Sequence, residues 1–221
     1  MPTSINIAVE DSLSESVLRR LLNHRRRDLT VGTRYPLKQL AGGVTNPANQ
    51  RSQRGLSGYG QLKVQLPAFN AAANTGQPFF VLSDLDVHAQ CPGQLLPMWL
   101  PNAAPSPNLV FRVAVKEVEA WLVADRQNLA DFLEVNVANL PTNSEALTDP
   151  KVEIVRLARL SASQDIVSDL VPPPGSSAAV GRGFERALRS FVRDHWNIDD
   201  AARHSRSLEK ALRAIQLFHP R

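Results

Sequence analysis

The chain has 221 residues, 43% hydrophobic and 21% charged, which suits one large domain with a buried core, or one domain with a modest extension. Its single cysteine, Cys91, excludes a disulfide framework, and no run reaches the ~18 apolar residues of a membrane span. The formal net charge of +4 is carried by residues 181–221, where nine Lys/Arg face five Asp/Glu. A basic face of that kind can follow a phosphate backbone by releasing counterions, and it is also what a solvated helical surface looks like. The opening MPTSINIAVEDS has no basic segment followed by a long apolar one, so no secretory signal is expected. The expectation is a soluble, cytoplasmic protein.

INIAV at 5–9 is short, β-branched and continuously apolar, which predicts a buried strand. Ser12 or Ser14 is expected to cap the helix that follows, whose apolar positions are Leu13, Val17, Leu18, Leu21 and Leu22. Residues 28–38 predict a second strand. The Gly/Asn/Ser-rich stretch after it, with Arg51 and Arg54, is long for a loop in a compact domain, and such loops tend to be functional. A helix over 60–74, perturbed by Pro67, leads to a third strand at FFVLSD and a fourth near 109–115. Helices are predicted at 117–124, at 127–134 and from Pro150, where proline suits a first turn. VPPPGSS at 171–177 breaks the pattern, and the tail predicts helices at 182–195 and 205–217. Strands alternating with helices predict an α/β domain over 1–170, with a C-terminal helical extension over 178–221 packed on it.

Three of these strands run into acids. INIAV meets Glu10-Asp11, FFVLS meets Asp84-Leu85-Asp86, and VFRVAVK meets Glu117-Val118-Glu119. Ligands of open α/β sheets bind at the carboxyl ends of strands. In an extended segment, residues i and i+2 share a face, so Asp84 and Asp86 are expected to converge. Carboxylate oxygens suit Mg²⁺ or Mn²⁺, and clustered carboxylates repel one another without a cation. The plainer reading of a single acid at a strand or helix end is a turn or cap, and first-turn acids such as Glu117 are favoured by the helix dipole alone. Asp125 reads as a surface or helix-end residue. His88 and Cys91 have no second ligand pair nearby, so zinc is not expected.

INIAVEDSLSE followed by VLSDLD is similar to the Toprim pattern, in which a glutamate after the first strand and a later DxD hold a divalent metal. FRVAVKEVEAWLVADR resembles a family of small Toprim-like proteins related to OLD-type (overcoming lysogenisation defect) nuclease domains. That family is often encoded beside AAA-type ATPases in bacterial defence loci. DPK at 149–151 and SRSL at 205–208 also resemble it. The resemblance implies a Toprim-like Rossmannoid sheet flanked by helices, with Glu10, Asp84, Asp86 and Glu119 as ligands of Mg²⁺ or Mn²⁺. Lys151 then corresponds to a lysine near the scissile phosphate. Asp11 stands where many Toprim motifs have glycine, and Ser14-Glu15 are offset from the usual acid.

The implied chemistry is metal-dependent phosphodiester hydrolysis of DNA or RNA by a defence effector with an ATPase partner. Two ions about 4 Å apart would stabilise the attacking and leaving oxygens, and Arg51, Arg54 and Arg206 are candidate backbone contacts. A homo-oligomer is compatible with the sequence but not specified by it. Two rivals are a non-catalytic Toprim-like scaffold or regulator that binds an ATPase, and a haloacid-dehalogenase-type phosphatase using Asp84 as nucleophile. The second normally carries its Asp-x-Asp at the start of the chain, whereas a strand–helix–strand unit precedes it here.

Overall fold

A computed structural model describes residues 3–35, 58–86 and 89–221. Four strands, β1 (Thr3–Val9), β2 (Leu29–Tyr35), β3 (Phe79–Asp84) and β4 (Leu109–Ala114), form one parallel sheet in the order β2-β1-β3-β4. The expected α/β class with a helix-flanked parallel sheet is present. The helices are α1 (Ser12–Arg25), α2 (Gly58–Asn74), α3 (Pro92–Trp99), α4 (Val118–Val123) and α5 (Arg126–Leu133), then α6 (Pro150–Ala158), α7 (Gln164–Leu170), α8 (Phe184–Asp194), α9 (Ile198–His204) and α10 (Arg206–Leu217). The structure adds α3, α7 and α9 to the expected elements. It also moves the cap of α1: the Asp11 carboxylate, not Ser12 or Ser14, accepts the Ser14 N–H at 2.7 Å.

Both faces of the sheet are covered, as a parallel sheet requires. Alternation along each strand divides the core in two. Ile5, Ile7 and Val9 of β1, with Phe80 and Leu82 of β3, face α1 and the helices from α4 onward. Ala8, Phe79 and Val81 face α2 and α3, where Leu62, Leu66, Phe69, Leu95 and Trp99 close the layer. Phe69 stacks on Phe79 with ring centroids 5.0 Å apart.

The tail helices belong to the first of these cores. Phe184, Leu188 and Phe191 of α8 and Leu208, Leu212 and Ile215 of α10 are buried in the same apolar cluster as Leu18 and Trp121. Asp125 is fully buried, because its carboxylate accepts the Asn197 N–H at 2.6 Å and an Asn128 side-chain N–H at 2.8 Å. It therefore fastens the start of α5 to the tail, a long-range role that a reading as a surface residue overlooks. No helix among the described residues is long and apolar enough to cross a membrane. Arg51, Arg54 and His88 lie outside the described residues.

The two segments EAWL and SRSL meet in the interior. Trp121 Nε1 donates to Ser207 Oγ at 2.7 Å, and Ser207 Oγ also accepts the Val115 N–H at 3.3 Å. Glu145 anchors the same turn by accepting from Ser205 Oγ and the Ser207 N–H, each at 2.7 Å. Ser207→Ala leaves a buried indole N–H unpaired. It is expected to cost about 1–3 kcal/mol in urea unfolding, with the secondary structure kept. A variant as stable as the parent would show that this bond does not hold the tail to the domain.

Candidate metal and phosphate site at the carboxyl edge

The strand order puts a reversal of chain direction between β1 and β3. From β1 the chain moves outward to β2, and from β3 it moves the other way to β4. Crevices at such reversals, outside the carboxyl ends, are where open α/β sheets bind ligands. Val9 is in register with Leu82, so Glu10 emerges beside Ser83 and Asp84. Glu10 Oε1 accepts the Ser83 hydroxyl at 2.7 Å and the Asp84 N–H at 2.9 Å. Gly58, the first residue of α2, lies so close to Glu10 that a Cβ there would come within 2.6 Å of the Glu10 carbonyl oxygen. Only glycine fits, and the side chain of Glu10 is backed by the start of α2.

Asp84 is the last residue of β3 and is 8% exposed. Its Oδ1 accepts the Val118 N–H at 3.0 Å, so it satisfies a free donor at the N-terminus of α4 from across the sheet edge. Burial pushes its carboxyl well above the ordinary range, and the nearby charges of Glu10, Glu119 and Asp11 push the same way against Lys151.

Glu119 sits in the first turn of α4 with 1% exposure, and burial pushes its carboxyl up to about 7. Lys151, at the start of α6, reaches across to both acids, with its Nζ 2.8 Å from Glu117 Oε1 and 3.6 Å from Glu119 Oε1. Burial alone would lower the Lys151 pKa, but Glu119 and Glu117 outweigh it and hold the ammonium above its usual value. Lys151 is therefore charged at neutral pH while Glu119 titrates close to it. The second carboxylate oxygens of Glu117 and Glu119 are buried and accept no hydrogen bond.

Glu10, Glu119 and Lys151 thus all act on the charge of Asp84 at one end of the sheet. Asp86 is placed differently from the i, i+2 expectation. β3 ends at Asp84, and Asp86 is exposed in a left-handed turn with φ +44°. Its N–H donates to the Lys116 carbonyl at 2.8 Å, and Lys116 also has a positive φ, +64°. Two non-glycine residues in that region beside buried acids mark strain of the kind found at functional sites. Arg206 is exposed on the first turn of α10, which meets the carboxyl end of β4 through Ser207 and Val115.

Glu117 is the residue that reading by helix dipole passed over. It pairs more closely with Lys151 than Glu119 does, and its place two residues before Glu119 was the available signal. Among the described residues, no three His, Cys, Asp or Glu side chains are gathered to hold a metal ion as they stand. The donor chemistry nevertheless suits one: hard carboxylate oxygens at the sheet edge, of which one each from Glu117 and Glu119 is buried without a hydrogen bond.

Acids with raised pKa values keep protons in the folded state that the unfolded chain has released. The Glu119 contribution to the stability of the ion-free protein should therefore be lost as pH rises from about 4.5 to about 7, with Asp84 acting in the same direction. For Glu119 alone the loss is about 3 kcal/mol. Glu119→Gln should flatten this part of the profile in denaturant melts taken across pH. Identical profiles for parent and variant would show that Glu119 is not a strained buried acid.

Comparison of the chain with family models, curated proteins and solved structures returned no significant match.

Proposed function

We propose that the protein is a divalent-metal-dependent phosphodiesterase acting on DNA or RNA. The observation that carries this reading is the pair of buried carboxylates, Asp84 and Glu119, beside the half-buried Glu10 at the carboxyl ends of β3, β4 and β1, with Lys151 reaching Glu117 and Glu119. Glu10, Asp84 and Glu119 would hold Mg²⁺ or Mn²⁺, with Asp86 at the rim. Such an ion supplies Lewis-acid stabilisation of phosphate oxygens and makes water more acidic. Lys151, kept charged by Glu117 and Glu119, offers a fixed ammonium to the charge that develops on phosphate. Glu119 titrates near neutrality and is suited to accept or release a proton at working pH. The Toprim-like resemblance extends the proposal to a bacterial defence effector working with an AAA-type ATPase, and Arg206 lies on the same edge as a backbone contact.

A scaffold reading draws on a specific observation of its own. Glu10 and Asp84 already serve protein donors, and among the described residues no three acids converge as they stand.

Asp84→Asn keeps an oxygen for the Val118 N–H while removing the charge. Nicking of supercoiled plasmid in Mn²⁺ should drop at least about a hundredfold, with melting temperature equal or higher. Mn²⁺ should also raise the melting temperature of the parent protein, more at pH 8 than at pH 5.5, and should not raise that of Asp84→Asn. A variant that nicks like the parent sinks the phosphodiesterase. A parent whose melting temperature ignores Mn²⁺ at both pH values favours the scaffold.

A further inference from the structure

Away from the acids, along the outer side of α1, lies a groove of about 550 Å³ between α1 and α8. Ser16, Arg19 and Arg20 line it from α1, and Arg186, Arg189 and Arg193 from α8. Residues three and four apart share a helix face, so each helix offers one stripe, and the two stripes look at each other. Gathering five guanidinium groups costs Coulomb repulsion, and carboxylates offset only part of it. Arg19 pairs with Glu15 at 2.8 Å, Arg186 with Asp169 at 2.6 Å and Arg193 with Asp194 at 2.6 Å. Among the described residues neither Arg20 nor Arg189 has a carboxylate partner. Arg189 Nε donates to Ser16 Oγ at 3.1 Å, and Arg20 Nε is buried without a hydrogen bond.

We propose that this groove binds the sugar-phosphate backbone of a nucleic-acid strand. Arginine forks match phosphate oxygens in pairs, and the lining provides unspent donors. Among the described residues no aromatic ring lines the groove and Val192 is its one apolar residue, so they offer no stacking platform for a base. It would read phosphates regardless of sequence. From Ser16 to Asn23 the stripe covers about 10 Å of helix, the axial span of about three phosphates of one strand. Ser16 is about 7 Å along α1 from Asp11, so the groove starts at the end of α1 that follows Glu10. That the anion is a nucleic-acid strand rests on the phosphodiesterase reading of the sheet-edge acids, whereas the groove's demand for phosphate does not.

The test is fluorescence anisotropy of a labelled single-stranded oligonucleotide in EDTA, across a potassium chloride series. Because no metal is present, binding is scored separately from cleavage. Arg20→Ala combined with Arg189→Ala should weaken binding at least tenfold. It should also flatten the slope of log affinity against log salt by about 1.4, two phosphates at roughly 0.7 each. Arg189→Glu alone, at an exposed position, should weaken binding with no change in melting temperature, and Arg189→Lys should restore part of it. Variants that bind like the parent with the same slope overturn the proposal. Tripolyphosphate that binds the groove while the oligonucleotide does not displace it overturns it too, leaving a small-anion site. Tight binding in EDTA with no cleavage in Mn²⁺ would instead remove the phosphodiesterase and leave the groove standing.

Discussion

Burying carboxylates together is the constraint around which this molecule is arranged. Each one removed from water loses hydration that only donors or cations can replace. Among the described residues, Asp84 receives one N–H from Val118, and Glu117 and Glu119 share one ammonium, while Glu10 accepts a serine hydroxyl and an N–H among its partners. The remaining deficit shows as carboxyl groups that hold their protons too long. A protein selected only for stability would have little reason to keep that deficit, and a site that takes up cations would.

The topology explains why the deficit falls where it does. A parallel sheet ordered β2-β1-β3-β4 opens a crevice where the connections diverge, and the residues just past β1 and β3 must stand at its floor. α4 then turns its N-terminus inward, so that the Val118 N–H bonds Asp84 and the charge of Glu119 acts on it. The tail completes the arrangement from behind. Ser207 holds both the indole of Trp121 and the chain leaving β4, which fixes the turn that presents Glu117 and Glu119. Packing in the core and position at the edge are therefore linked through a few buried polar contacts.

Much of this was legible in the residues. Continuous apolar runs marked β1, β3 and β4, and the acids that end them marked Glu10 and Asp84, because both signals are local. α3 was hidden by Pro92 and Pro97 within eight residues, and α7 and α9 are short with few apolar positions. The i, i+2 argument for Asp86 assumed a strand that stops two residues earlier. Lys151 came from resemblance alone, since its partner Glu117 is 34 residues away and nothing local links them. The basic tail was legible, but its partnership with α1 was not, for the same reason. Arg19 and Arg20 stand far along the chain from Arg186, Arg189 and Arg193, and only the packing of α1 on α8 joins them.

The central claim is that acids from three strand ends act as one cation-binding unit. A crystal grown at pH 8 and soaked in Mn²⁺, with anomalous scattering collected, tests it most directly. The expected result is an anomalous peak bounded by carboxylate oxygens of Glu10, Asp84 and Glu119, with those side chains drawn inward from their present positions. A map with no peak there, and with Lys151 still bridging Glu117 and Glu119, would contradict it.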